Sequence, residues 1–190
     1  MERPGTRRSD RPGPTSGTGE PAPAHGGGVR LGLLEPGDRD PLYRLFDDVV
    51  AKGEGFPHAP PLTPEAFAAT WDAPGTTTVV ARLEGAAPAR DPTVVGAYYL
   101  RPNFVGRAAH IANAGYVVGA PWRRRGIGRA LLEDSVARAP GLGFDAIQFN
   151  LVFASNPARA LYAELGWRQI GRVPAAVEGE DALIYWRAVG

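Results

Sequence analysis

Arg123-Arg124-Arg125-Gly126-Ile127-Gly128 is the stretch on which the reading of this chain turns. An apolar run ending at Val117-Val118 precedes it, and a segment with helical spacing, Arg129 to Ala139, follows it. A strand, a glycine turn and a helix start together form an anion cradle. The first N–H groups of a helix have no partner within the helix, and the dipole there favours negative charge. Glycine lets the backbone come close to a ligand. Arginine adds forked donors that stay charged. The expected ligand is therefore phosphorylated.

Working outward, Val29–Leu34 reads as a strand and Glu35–Asp38 as a turn. Leu42, Leu45, Phe46 and Val49 recur at helical spacing within 41–52, with Asp40 as the expected cap. Thr63-Pro64 opens a second helix that ends near Trp71, with Thr63 at the N-cap. Runs 76–83 and 93–100 are rich in β-branched and aromatic residues and read as an antiparallel pair. A third strand spans 110–118. After the turn and its helix, 146–153 reads as a buried strand. Residues 157–165 read as a helix ended by Gly166, and 167–173 and 182–188 as two last strands. The expected order is β-α-α-β-β-β-α-β-α-β-β. The fold class is α/β, a mixed sheet in which strands 110–118 and 146–153 run parallel across a helix.

The segment 1–28 holds seven Gly and five Pro and none of Val, Ile, Leu, Phe, Tyr or Trp. It cannot bury enough apolar surface to offset its ordering entropy, so a disordered tail is expected there and a single domain over 29–190. Net charge is +1, which gives no bulk field toward nucleic acid or membrane. The 190 residues include no cysteine, which removes thiol nucleophiles, disulfides and thiolate metal sites. His25, His58 and His110 share no metal-ligand spacing, so no metal is expected. No apolar run approaches a membrane span. Arg7-Arg8 lacks the apolar stretch of an export signal, and a cytoplasmic location is expected.

Several phosphate ligands compete for the turn. A P-loop requires Lys and Ser/Thr after its last glycine, and neither is present. A dinucleotide fold requires GxGxxG early in a βαβ repeat, whereas these glycines come late, after antiparallel strands. A solvated basic helix start remains an alternative. Arg123-x-x-Gly126-x-Gly128 resembles the R/Q-x-x-G-x-G/A motif of the GCN5-related N-acetyltransferases, or GNAT family. Tyr116 to Trp122 looks like that family's fourth strand entering its loop. Asn156-Pro157-Ala158-Arg159-Ala160-Leu161-Tyr162-Ala163-Glu164-Leu165-Gly166-Trp167 is similar to its late N-x-x-A-x-x-L-Y-x-x-x-G-F signature, with Trp167 in place of Phe. The element order also matches. A narrower resemblance lies in Tyr99–Asn103, His110–Tyr116 and Gln148-Phe149-Asn150. These are similar to a sub-group containing fungal acetyltransferases of proline analogues such as azetidine-2-carboxylate.

The resemblance implies acetyl-CoA as co-substrate and a small-molecule amine as acceptor, an amino acid or a toxic analogue among the candidates. The amides of the turn, Arg124, Arg125, Gly126, Ile127, Gly128 and Arg129, would cradle the pyrophosphate; the Arg123 and Arg129 side chains would pair with phosphates, those of Arg124 and Arg125 equally facing solvent; and the backbone of Tyr116, Val117 and Val118 would align the pantetheine arm. Tyr162 would be the general acid for the departing thiolate, with an aromatic anchor for its helix as the alternative. Asn156 would contact the cofactor and share in catalysis, and it is equally a natural N-cap. Asn113 and Asn150 would bind the substrate carboxylate. A buried strand amide must find partners, so pairing with nearby backbone is the alternative for both. His110 is either a base or a strand-start residue. No carboxylate lies within 110–118, so water-mediated deprotonation is expected. Tyr43, Phe46, Phe56 and Trp71 are core residues or walls of the acceptor pocket. A non-catalytic acyl-CoA-sensing module is the competing function. No nucleic acid or membrane partner is expected, and a homodimer is left open.

Overall fold

The computed structural model describes residues 28–84 and 93–190. Apart from Gly28, the tail expected over 1–28 lies outside the described residues. The elements in chain order are β1 (Val29–Leu33), α1 (Arg39–Ala51), α2 (Pro64–Trp71), β2 (Thr77–Leu83), β3 (Val94–Pro102), β4 (Ile111–Val118), α3 (Ile127–Arg138), β5 (Ala146–Phe153), α4 (Arg159–Glu164), β6 (Arg168–Val177) and β7 (Glu180–Ala188). This is the expected order. Among the described residues seven strands form one sheet in the order β1-β2-β3-β4-β5-β7-β6, and only β4 and β5 pair in parallel.

The helices form where the pattern places them, with shifted ends. α1 buries Leu42, Phe46, Val49 and Val50, one stripe of a 3.6-residue period. Its start differs from expectation: Asp38, not Asp40, holds the cap position, because a short 3-10 turn at 36–38 feeds directly into the helix. Asp38 is buried and takes both Nε and Nη2 of Arg82, which ties the entry of α1 to β2. In α2, Thr63 Oγ1 accepts the Ala66 amide at 3.2 Å, as an N-cap should. α4 is shorter than read, because Pro157 and Ala158 form a turn before it. Gly166 follows it with φ +82°.

The sheet has two buried faces. On one, Tyr98, Leu100, Ala112, Ala114, Ile147 and Phe149 pack with Ile127, Leu131 and Trp167. On the other, Val80, Ala97, Tyr99 and Val117 pack with Leu42, Phe46, Phe56 and Trp71. Polar bonds fix α3 to the sheet. Ser135 gives its proton to the Leu132 carbonyl, so Tyr116 donates to Ser135 Oγ, at 2.7 Å. Tyr98 donates to Asp134 at 2.5 Å. With this helix anchored along its length, its N-terminus is held at the end of β4. Among the described residues no helix is long and apolar enough to cross a membrane.

Candidate active site

The sheet opens between β4 and β5. β4 pairs with β3 from Ala112 to Val118, but with β5 only at Ile111–Ala146, Ala112–Ile147 and Asn113–Gln148. The Asn103 amide donates to the Ile111 carbonyl at 2.8 Å, and the Gly119 amide to the Val95 carbonyl at 3.0 Å. Those two bonds set the alternation of the ladder. Residues 113, 115 and 117 turn their backbone toward β3, so Ala114, Tyr116 and Val118 turn theirs into the opening. Of the three strand residues expected to align the pantetheine arm, Tyr116 and Val118 present backbone there. Val117 presents its backbone to β3 and its side chain to the core.

Asn113 stands where the ladder ends. In an unbroken parallel ladder the Gln148 carbonyl would accept the next amide of β4, that of Ala114. Here Asn113 Nδ2 takes that carbonyl, at 3.2 Å, and Tyr99 donates its phenol to Asn113 Oδ1 at 3.2 Å. The Tyr99 ring reaches across Gly115 to do so: a Cβ on Gly115 would lie 2.6 Å from the Tyr99 ring. Asn113 is therefore buried with partners on both sides. Asn150 is exposed, contrary to the buried reading of its strand. β5 is irregular between Phe149 and Val152, and this turns Asn150 and Leu151 outward. Asn150 and Asn103 exchange amide hydrogen bonds of 2.7 and 3.3 Å, and Gln148 Nε2 donates to Asn150 Oδ1 at 2.9 Å.

The basic turn lies at the mouth of the opening. Arg124 has φ +60° and Gly126 φ +80°. A left-handed backbone is free for glycine and costs an arginine about 1–2 kcal/mol, and such strain clusters at ligand sites. A Cβ on Gly126 would meet nothing within 4 Å, so the space above the turn is open. The first internal bond at the start of α3 is Ala130 N–H to the Gly126 carbonyl, at 3.0 Å. The amides of Ile127, Gly128 and Arg129 thus have no helical partner and form an anion site.

The arginines of the turn are not equivalent. Arg123 donates through Nε to the Val118 carbonyl at 3.2 Å and pairs through Nη2 with Glu54. Glu54 lies between two left-handed glycines, Gly53 and Gly55, in the loop after α1. Arg129 pairs with Glu164 of α4 at 2.6 Å. Arg125 lies over the Trp122 ring, 5.0 Å from its centroid. Carboxylates therefore occupy the two arginines expected to meet phosphates.

Tyr162, on α4, is buried against Phe149 and Tyr185, with ring centroids 5.2 and 5.4 Å away. Burial pushes its pKa up to about 12, with Tyr185 adding to the shift. It keeps its proton throughout the neutral range. Asn156 Oδ1 accepts the Ala158 amide at 2.8 Å, which shapes the turn into α4 and leaves its NH2 group for a ligand. His110 is exposed and bonded to the Arg107 carbonyl within its own turn, at 2.9 Å. His58, singled out by no motif, lies on the α1/α2 face. Thr70 gives its only proton to the Ala66 carbonyl, so neutral His58 must donate to Thr70 from Nε2, at 3.0 Å. Burial, then Arg101, lowers its pKa, and the imidazole is neutral at pH 7. A separate cleft of about 510 Å³ near Leu33, Trp71, Arg138 and Leu142 lies at the far end of α3 and contains none of these residues.

The sequence matches the profile of the acetyltransferase (GNAT) family over residues 42–167. The chain belongs to the GNAT family. A GCN5-related N-acetyltransferase from Kribbella flavida superposes with a TM-score of 0.75 at 33% identity, covering 84% of this chain and 97% of that one. A GNAT phosphinothricin acetyltransferase from Sinorhizobium meliloti, solved in complex with AcCoA, shares the fold at a TM-score of 0.71 and 23% identity, covering 85% and 89%. N-acetyltransferase aca1 of Schizosaccharomyces pombe is 45% identical over 100 residues. That match covers 49% of this chain and 48% of aca1, so the chain spans about half the length of this curated relative. Motif reading missed Glu54 and His58, and it assigned no role to Tyr99, Asn103 or Gln148.

Proposed function

We propose that this protein is an N-acetyltransferase that moves the acetyl group of acetyl-CoA by direct attack onto the amine of a small molecule carrying a carboxylate, such as an amino acid or a proline analogue. The observation that carries the reading is the early end of the β4–β5 ladder, with the free amides of α3 at its mouth. The amides of Ile127, Gly128 and Arg129 suit the pyrophosphate. Arg123 and Arg129 reach phosphate oxygens once Glu54 and Glu164 release them, and Arg124 and Arg125 add charge from the exposed side of the turn. The Tyr116 and Val118 backbone suits the strand-like amide groups of the pantetheine arm. An N–H in the opening polarises the thioester carbonyl.

The neutral amine attacks the carbonyl carbon, the carbon–sulfur bond breaks, and the sulfur takes the proton of Tyr162. The nitrogen loses its extra proton to water, and solvent restores the phenol. No covalent relay through a thiol is available, since the chain has no cysteine. Asn113 and Asn150 offer N–H donors to the acceptor carboxylate, and the Asn156 NH2 group faces the donor side. Acetyl-CoA as donor fits a cytoplasmic enzyme.

Thiol release from acetyl-CoA, read with a disulfide reagent, tests the proposal without background from the protein. Release that depends on one class of amino acid supports it. Acetyl-CoA binding with no release for any amine favours a sensing module. No thermal shift at millimolar acetyl-CoA overturns the proposal.

A further inference from the structure

Asn113 and Asn150 stand on neighbouring strands of the α1/α2 face, with Gln148 between them. A free asparagine amide rotates and offers oxygen or nitrogen at random. Neither of these is free. The phenol of Tyr99 has only a proton to offer Asn113 Oδ1, and the Gln148 carbonyl can only accept from Nδ2. Flipping Asn113 would break both bonds. At Asn150, Oδ1 receives Gln148 Nε2 and Asn103 Nδ2, while Nδ2 donates to Asn103 Oδ1. Flipping that amide alone would set NH2 against NH2. Each asparagine uses one of its two N–H groups in these bonds and keeps the other.

We propose that Tyr99, Gln148 and Asn103 are positioning residues that lock the two asparagine amides, so that each turns its spare N–H toward the acceptor. Gly115 belongs to the device, because only a residue without Cβ lets the Tyr99 ring pass over β4. Burial holds the Tyr99 phenol in its protonated, donating form. The proposal rests on the reading that Asn113 and Asn150 face the acceptor.

The test compares Tyr99→Phe, Asn103→Ala, Asn113→Ala and Asn150→Ala in the full chain, with azetidine-2-carboxylate and with azetidine as acceptors. Losing one locking bond should raise KM for the carboxylate acceptor about five- to tenfold. In Tyr99→Phe and Asn103→Ala the KM for azetidine and for acetyl-CoA should stay within about twofold under the same single-bond reasoning, and kcat with them. A uniform loss over both acceptors, or a fall in kcat alone, overturns the positioning role. No effect of Asn113→Ala and Asn150→Ala instead overturns the reading beneath it. The lock is also visible without turnover, in the side-chain NH2 signals of ¹⁵N-labelled protein. Asn103→Ala should move the NH2 proton shifts of Asn150 toward those of a solvated amide and spare those of Asn113, and Tyr99→Phe should do the reverse. Unchanged Asn150 and Asn113 signals in these variants would refute the lock whatever the acceptor is.

Discussion

Arg123 cannot meet a phosphate while Glu54 holds it, so Glu54→Gln should tighten acetyl-CoA binding. The size of the effect follows from exposure. The two side chains are 42% and 41% exposed, which places the pair among surface ion pairs. Such pairs contribute about 0.2–1 kcal/mol. Removing the competitor should therefore lower the acetyl-CoA Kd by up to about fivefold, since 1.4 kcal/mol is tenfold. Water and salt screen the pair, so the gain should be largest at low ionic strength and fade near 0.5 M salt, where the Debye length is only about 4 Å. Calorimetric titration of wild type, Glu54→Gln, Arg123→Gln and the double variant at two salt concentrations reads this directly. In the Arg123→Gln background the Glu54 change should have no effect. Weaker or unchanged binding in Glu54→Gln at low salt refutes the argument. So does an equal gain in the absence of Arg123.

Gly126→Val forces a β-branched residue to φ +80° with nothing within 4 Å of its Cβ. It should raise the acetyl-CoA Kd tenfold or more while Tm falls by only a few degrees, because backbone strain of about 1–2 kcal/mol is the sole cost to the fold. Gly115→Ala puts a methyl 2.6 Å from the Tyr99 ring, and overpacking of about 1–3 kcal/mol should lower Tm by about 2–12 °C in a thermal melt. Tyr162→Phe should lower kcat about a hundredfold with KM for acetyl-CoA little changed. With its pKa raised to about 12, Tyr162 keeps its proton from neutral pH upward, so no alkaline loss below about pH 10 should belong to it. An alkaline limb near pH 8 that vanishes in Tyr162→Phe would contradict this assignment.

The element order was legible because each part carries its own period. The stripe of Leu42, Phe46 and Val49, the Thr63-Pro64 start and the β-branched runs each point to one conformation. The turn was legible because strand, glycine and helix start are adjacent in sequence. What escaped the sequence depends on partners far apart along the chain. Glu54 and Arg123 are 69 residues apart, and no local pattern joins them. The end of the β4–β5 ladder is set by Asn113 reaching Gln148, 35 residues away, inside a run that reads as an ordinary strand. Asn150 reads as buried from its apolar neighbours, but the irregularity after Phe149 turns it outward. That departure lies in backbone register rather than composition. The need for a residue without Cβ at Gly115 comes from the Tyr99 ring on the neighbouring strand, and no local pattern shows it.

Backbone amide shifts on titration with acetyl-CoA test the central claim most directly. The account predicts the largest changes at Ala114, Tyr116 and Val118 and at Arg124 through Arg129, with saturation at a single affinity. No changes at millimolar acetyl-CoA, or changes confined to other surfaces such as the β6–β7 hairpin, would contradict it.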